Sequence, residues 1–147
     1  MNYLQKAVEL ARVSFEAGLF PAGAVLITKV GNIYTSDPSL AWYHGECSVI
    51  DKAIKAEGVH AVAGAKIFTT VESCLMCSAK MYWSGITEVT YIVPKSKTNV
   101  LYAYEDSLPM HEHLSHFNTP LLSTQDDKLL EEALALYNAW AQKIERK

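Results

Sequence analysis

The chain has 147 residues, of which half are apolar and a fifth are charged, as in a globular protein with one hydrophobic core. Its formal net charge of −3 argues against a dedicated nucleic-acid-binding protein, because such proteins usually carry a basic surplus or stripe. No stretch approaches the roughly 20 apolar residues of a membrane span, and the N-terminus does not resemble a signal peptide. We expect one domain over residues 1–147, in the cytoplasm.

The first third of the chain predicts a helix followed by a hairpin. Apolar residues recur at helical spacing from the N-terminus, and Gly18 ends this helix. The apolar run 22–28 predicts a buried strand, 30–32 a tight turn, and 33–35 a short return strand. The turn makes these two strands an antiparallel pair.

Helices and strands then alternate along the chain. In order, we predict a helix at about 44–56, a strand at 66–71, a helix at 74–84, a strand at 88–93, a short strand at 120–123 and a helix at 126–143. The span 99–118 is expected to be irregular or partly helical. Because each later strand follows a helix, these strands should lie parallel. The pattern predicts an α/β domain with helices covering a central sheet.

Two short motifs, about thirty residues apart, carry the candidate chemistry. They are HGE at 44–46 and CLMC at 74–77, and each opens a predicted helix. Cys74 and Cys77 at a helix start can direct both sulfurs at one metal ion, and the positive end of the helix dipole favours thiolates. His44 can supply a third ligand. Three protein ligands leave the fourth tetrahedral position to water, which is the pattern of a catalytic zinc site, with one zinc per chain.

Glu46 lies two residues after His44. This spacing suits a carboxylate beside the zinc-bound water that does not itself bind the metal. Zinc lowers the pKa of its water to about 7, so hydroxide is available at neutral pH. A carboxylate there can take the proton of the water and return it later, and such general acid–base catalysis contributes about 10²–10⁴-fold. We therefore predict Glu46 as the catalytic acid and base.

Together the motifs resemble the signature of zinc-dependent deaminases, H-x-E…P-C-x-x-C, in which the glutamate is the acid and base and not a ligand. FPAGAVLI (20–27) and the whole segment 66–93 resemble the tRNA-adenosine and guanine deaminase branch of the cytidine-deaminase-like superfamily. The resemblance covers about residues 1–108. It implies a three-layer α/β/α fold with a central five-stranded mixed sheet, and zinc-dependent hydrolytic deamination of a nucleobase or nucleoside with release of ammonia. It also implies a homodimer.

Within this branch, YWSGI (82–86) is most similar to guanine deaminases, which implies that Trp83 lies beside the substrate purine. AYEDSL (103–108) is similar to the region where those enzymes place an acidic residue over the pocket. That role falls to Glu105 or, as the weaker choice, Asp106. The resemblance therefore favours guanine or a similar small purine, with a tRNA wobble adenosine or a cytosine-like pyrimidine as alternatives. The low positive charge disfavours the tRNA.

The chain departs from the family pattern in two places. The resemblance assigns Gly45 and Ser73 to the substrate pocket, but Ser73 stands where the family has a proline. Because serine is a good helix cap, we expect the metal site to survive this change. The family also reads the base with an asparagine on the second strand. Asn32 is predicted to lie in the turn instead, which leaves Ser36 or Asp37 as substitutes.

Cys47 supports a rival interpretation. It lies three residues after His44 on the same helical face, so it could complete a closed site of three cysteines and one histidine. Such a site is structural and has no place for water, and the chain would then be a non-catalytic interaction module. We favour the alternative that Cys47 is a small buried apolar side chain.

Other residues have functional and ordinary explanations. A cluster of three histidines, His111, His113 and His116, could bind metal, but a solvated loop explains it more simply. Trp42 and Tyr43 precede His44 and could line the pocket mouth or a subunit contact.

Overall fold

The protein is described here by a computed structural model, which covers residues 2–98, 109–119 and 121–145. Its helices are α1 (Tyr3–Glu16), α2 (Gly45–Glu57), α3 (Leu75–Ser84), α4 (Met110–Leu114) and α5 (Leu130–Glu145), with 3₁₀ turns at Val59–Ala61 and Lys95–Lys97. Its strands are β1 (Ala24–Ile27), β2 (Ile33–Thr35), β3 (Lys66–Val71), β4 (Glu88–Val93) and β5 (Leu122–Gln125). Over the described ranges, every helix is too short or too polar to cross a bilayer.

The five strands form one mixed sheet in the order β2-β1-β3-β4-β5. β1 is antiparallel to both of its neighbours, with Leu26 opposite Tyr34 on one side and opposite Ile67 on the other. β3, β4 and β5 are parallel to one another. The predicted hairpin and the parallel later strands are therefore confirmed.

Helices cover both faces of the sheet. On one face, α1 and α5 enclose a cluster of buried residues that includes Val8, Ile92 and Leu136. On the other face, α2 and α3 pack over a larger cluster that includes Ile50 and Met81. These three layers confirm the predicted α/β/α fold class. The second face also carries Cys47 and Cys77, so the candidate metal ligands adjoin the main core.

The approach of α1 to the sheet depends on a glycine at the start of β1. A side chain at Gly23 would place its Cβ 2.7 Å from Ala11 N and 2.8 Å from Leu10 Cβ, closer than real contacts allow. The backbone of Gly23 also bonds to the end of β3, donating to Thr70 Oγ1 at 3.0 Å. The lack of a side chain at Gly23 therefore lets α1 pack closely against the start of β1, which is hydrogen-bonded to the end of β3.

The last elements lie further along the chain than predicted. The final strand is Leu122–Gln125 rather than 120–123, and the final helix begins at Leu130 rather than 126. Two aspartates explain the late start of this helix, because they hold the chain in a turn. The backbone N–H of Lys128 donates to Asp126 Oδ1 at 3.1 Å, and that of Leu130 donates to Asp127 O at 3.1 Å.

Candidate functional site

The two motifs meet because α2 and α3 run parallel, side by side. His44 is the N-cap of α2 and Cys74 is the N-cap of α3, and both have extended backbone angles. Further along the same helices, Lys80 Nζ and Asp51 Oδ1 form an ion pair at 2.8 Å. Asp51 lies seven residues after His44 and Lys80 six residues after Cys74, so the two N-termini lie at nearly the same level and both motifs face one point.

Three donor atoms converge at that point. His44 Nδ1 lies 3.4 Å from Cys74 Sγ and 3.5 Å from Cys77 Sγ, and all three donor atoms lie within 4.8 Å of one another. Zinc bonds of about 2.0 Å to nitrogen and 2.3 Å to sulfur in a tetrahedron place nitrogen and sulfur about 3.5 Å apart. One imidazole and two thiolates are also the donors that zinc favours. The cluster fits one zinc ion.

The imidazole of His44 is oriented by the backbone of Ala41, three residues earlier in the chain. Nε2 donates to the carbonyl oxygen of Ala41 at 3.0 Å, since a carbonyl can only accept. Nε2 is therefore protonated, and Nδ1 faces the two sulfurs, where it can bind a metal ion once it carries no proton of its own. A hydrogen bond of this type fixes both the tautomer and the ring orientation of a metal-binding histidine.

The charges at the cluster suit a cation. Burial by itself lowers the pKa of His44, but the hydrogen bond with Cys74 and the nearby charge of Glu46 raise it to about 9. A hydrogen bond with Cys77 is the main cause that lowers the pKa of Cys74 to about 4, against the opposing effect of burial. At neutral pH these groups form a thiolate–imidazolium pair, and a metal ion that binds them displaces the imidazole proton.

Glu46 lies in the first turn of α2, buried beside the cluster. Its Oε1 accepts a hydrogen bond from Thr69 Oγ1 at 3.0 Å, and Thr69 is itself fully buried on β3. Burial is the main cause that raises the pKa of Glu46, and the nearby charge of His44 opposes it. Glu46 is not in the set of converging metal donors. The carboxyl group is thus fixed near the metal site, where it can exchange a proton.

The comparisons with known proteins agree with this geometry. A profile of the cytidine and deoxycytidylate deaminase zinc-binding region matches residues 1–93. The chain belongs to this family. Membership and the donor set together confirm the predicted zinc cofactor.

Characterised members of this deaminase family differ in substrate. The chain is 34% identical to a tRNA-specific adenosine deaminase of Bacillus subtilis over 96 residues, which cover 60% of this chain and 58% of that protein. It is 32% identical to a guanine deaminase of Bacillus subtilis over 98 residues, covering 61% and 62%. Each match thus spans about three fifths of the relative's own length. The crystallised guanine deaminase from Nitrosomonas europaea shares the fold, with a TM-score of 0.73, 15% identity, and coverage of 95% of this chain and 83% of that one.

Cys47 lies close to one donor of the candidate metal cluster but not to all three. Its Sγ is 3.7 Å from Cys77 Sγ, and its side chain is buried. The donor atoms that lie within 4.8 Å of one another belong to His44, Cys74 and Cys77, without Cys47. A fourth ligand in a tetrahedron would need to approach all three others to about 3.5–3.8 Å. The geometry therefore favours Cys47 as a core residue over the closed structural site.

Two predicted substrate contacts lie at the same end of the helices. Gly45 begins α2 and packs against Ser36, where a Cβ would come 3.2 Å from Ser36 Oγ. Ser73 is 1% exposed, and within the described part of the chain its hydroxyl has no hydrogen-bond partner. The expectation that Ser73 caps α3 is wrong, because Cys74 is the cap and its Sγ accepts from Cys77 N at 3.5 Å. The hydroxyl of Ser73 is therefore not used to cap α3 and remains available for another hydrogen bond.

Trp83, another predicted substrate contact, is not brought to the cluster. Trp83 is 83% exposed near the end of α3, six residues beyond Cys77, which is about 9 Å along the helix axis. Its ring contacts only the edge of Tyr82 among the described aromatic rings. Glu105 and Asp106 lie outside the described residues.

Asn32 points away from the site, as its predicted place in the turn suggested. Its Nδ2 donates to Glu57 Oε1 at 2.8 Å, at the far end of α2. Glu57 follows Glu46 by eleven residues, which is about 17 Å along the helix. Ser36, which contacts Gly45, lies much closer to the site, whereas Asp37 is paired with Lys52 at 2.8 Å.

The expectation that the histidine cluster forms a solvated loop is wrong for α4 and is confirmed only for His116, which lies exposed after that helix. His111 and His113 belong to α4, and His113 is buried with Met110 and Leu114 on the inner side of that helix. Met110, His113 and Leu114 follow the spacing of one helical face, which explains why this segment folds onto the core. The metal-binding cluster found over the described residues does not include these histidines.

Sequence analysis missed several residues that support the site. Thr69 had a usable signal, because it and Thr70 are polar side chains in an apolar strand, where a buried hydroxyl needs a partner. Glu72, an acid next to Ser73, carried a similar signal. The carbonyl of Ala41 had none, since a backbone contact leaves no trace in the side-chain pattern.

Proposed function

We propose that this protein is a zinc-dependent hydrolytic deaminase of a nucleobase or nucleoside, with guanine or a similar small purine as the favoured substrate. One observation carries the proposal: the buried carboxyl group of Glu46 lies beside three donors spaced for tetrahedral zinc. Three protein ligands leave a position for water, as in catalytic rather than structural zinc sites.

Zinc, when bound to His44, Cys74 and Cys77, supplies Lewis-acid activation of water at neutral pH. Glu46 takes one proton from the attacking water as oxygen bonds to the ring carbon, and delivers it to a ring nitrogen of the substrate. It then takes the remaining proton from the added hydroxyl group and gives it to the exocyclic amine, which leaves as ammonia while the carbon–oxygen double bond forms. The hydrogen bond from Thr69 to Oε1 holds the carboxyl group in one orientation through these transfers. Because burial raises the pKa of Glu46, the protonated form needed in the middle of the cycle is easier to reach.

Gly45 and Ser73 are proposed to contact the substrate. The backbone N–H groups in the first turn of α2 have no acceptor within the helix, so that of Gly45 can donate to a ring carbonyl or nitrogen. The hydroxyl of Ser73 is buried and has no hydrogen-bond partner among the residues that the structure describes. Leaving such a group unpaired costs free energy, which a hydrogen bond to the substrate would recover. Glu105 remains a proposed contact from the resemblance alone.

A homodimer is part of the proposal. Large apolar side chains are exposed around the site and along α3, where a second subunit could cover them: Trp42, Leu75, Met76 and Trp83. The three cysteines are unpaired, which supports the reducing environment of the cytoplasm.

A tRNA wobble adenosine is the second candidate substrate. The identity of 34% to a tRNA-specific adenosine deaminase, against 32% to a guanine deaminase, favours neither. The net charge of −3 supports the small purine, because phosphate binding needs basic side chains. Cytosine or cytidine is a third candidate, with no specific observation in its favour.

The test is an ammonia-release assay with zinc-loaded protein. The panel should contain guanine, adenine, cytosine, their nucleosides and nucleotides, related heterocycles, and an anticodon stem-loop with adenosine at the wobble position. We expect release from a small purine, and none from the same panel with the Glu46→Gln variant. Release from the stem-loop alone would transfer the substrate assignment to tRNA. Release from no compound would leave the non-catalytic module as the better account.

A further inference from the structure

Glu72 is a buried acid that the proposed chemistry does not use. It directly follows β3 and is 6% exposed. Both of its carboxyl oxygens accept hydrogen bonds from backbone N–H groups: Oε1 from Lys95 at 2.8 Å and Oε2 from Met110 at 2.6 Å. Hydrogen bonds from N–H groups to a carboxylate are about twice as strong as those between neutral groups. One side chain therefore ties two distant segments to the end of β3.

Glu72 connects its own loop to two segments that are distant from it in the sequence. Lys95 begins the 3₁₀ turn after β4, and Met110 begins α4. Glu72 itself lies two residues before Cys74, at most about 7 Å along the chain. The carboxylate thus joins the loop that carries Ser73, a proposed substrate contact, and the metal ligand Cys74 to the turn after β4 and to the start of α4.

Packing around α4 shows that this connection extends to α3. Met110 and Leu114 belong to the same buried cluster as Cys77 and Met81. Phe117, just after α4, stacks on Tyr82 of α3 with ring centroids 4.3 Å apart. A shift of Met110 would therefore disturb the packing of α4 against α3, the helix that carries two metal ligands.

We propose that Glu72 is a positioning residue of this enzyme. Its carboxylate fixes the backbone at Lys95 and Met110 relative to the Cys74 loop, and so sets the shape of the substrate pocket without touching the metal or the substrate. The inference rests on the proposed function for its kinetic consequence, whereas the tether itself can be tested without any substrate.

The direct test is Glu72→Gln. The amide keeps one acceptor but directs an NH₂ group at the second backbone N–H, so one of the two hydrogen bonds is lost. We expect amide hydrogen exchange at Lys95 or Met110 to be about tenfold faster or more. We also expect an unchanged zinc content and a KM raised severalfold, with a smaller change in kcat. Glu57→Gln is the matched control, because Glu57 also accepts two hydrogen bonds but lies at the far end of α2.

A second pair of variants leaves Glu72 intact and tests the backbone N–H of Lys95, which one variant removes and the other keeps. Lys95→Pro deletes the N–H, and the preceding Pro94 has the extended backbone, with φ −72° and ψ 152°, that a following proline requires. Lys95→Ala keeps the N–H and removes the same side chain. We expect a higher KM for Lys95→Pro than for Lys95→Ala. This comparison tests the tether even if Glu72→Gln fails to fold.

Three results would overturn the inference: wild-type exchange at both amides in Glu72→Gln, equal KM in the two Lys95 variants, or loss of zinc from folded Glu72→Gln. The last would make Glu72 a support of the metal site rather than of the pocket. If the wild-type protein releases ammonia from no substrate, the proposed function fails on its own. The exchange measurement still decides whether Glu72 holds the two segments.

Discussion

Glu46→Gln replaces one carboxyl oxygen of a buried side chain with an amide nitrogen and changes its size very little. The amide oxygen can still accept the hydrogen bond that Thr69 now donates to Oε1 at 3.0 Å. Glu46 is also outside the set of converging metal donors, so its replacement removes no ligand. We therefore expect the variant to fold and to bind about one zinc per chain.

The variant cannot take up and return a proton, so its activity should fall steeply. General acid–base catalysis by a positioned carboxyl group contributes about 10²–10⁴-fold, which corresponds to about 3–5 kcal/mol of activation free energy. The assay is ammonia release under saturating substrate, with zinc measured by mass spectrometry on the same samples. Glu57→Gln, the same change at the exposed end of the same helix, should retain wild-type turnover.

Turnover within a few-fold of wild type in zinc-loaded Glu46→Gln would refute the proton-transfer role. Loss of zinc from this variant would contradict the geometry in a different way, because it would make Glu46 a metal ligand. A proportional loss of zinc and activity in the Glu57→Gln control would show that the effect is not specific to the site.

Three further variants test the metal site and the ion pair between the two helices that carry it. Cys47→Ala should keep its zinc, whereas Cys77→Ala should lose it; if both lost zinc in the same chelator titration, Cys47 would be a ligand. Asp51→Asn should lower Tm at neutral pH by a few degrees at most, because exposed ion pairs contribute little. Burial raises the pKa of Asp51, but hydrogen bonds from Lys80 and Tyr43 lower it overall, so its stabilising effect is present above the ordinary value of 3.8 and is lost as pH falls through the lower folded value. A difference in Tm between wild type and variant that grows towards acid pH would contradict this.

The sequence predicted those elements in which local pattern and tertiary packing agree. β3 and β4 have the predicted bounds, because each is a short run of β-branched and aromatic residues with turn residues on either side. α3 ends where Gly85 takes a left-handed conformation, with φ 87°. The metal donors were also predictable, since a histidine and a Cys-x-x-C at two helix starts need only parallel helices to meet.

Features that depend on contacts between distant segments could not be predicted. The hydrogen bond between Thr69 and Glu46 joins residues 23 positions apart, and that between Met110 and Glu72 joins residues 38 apart. The buried place of His113 depends on the packing of α4, which its polar neighbours conceal. The late start of α5 follows from local hydrogen bonds of Asp126 and Asp127, which compete with the helix.

X-ray absorption spectroscopy at the zinc edge measures the ligand set directly in the zinc-loaded protein. We predict two sulfur neighbours per zinc at about 2.3 Å and two nitrogen or oxygen neighbours at about 2.0 Å, namely His44 and one water. Three sulfur neighbours would place Cys47 in the coordination shell. That result would contradict the open catalytic site and the deaminase mechanism built on it.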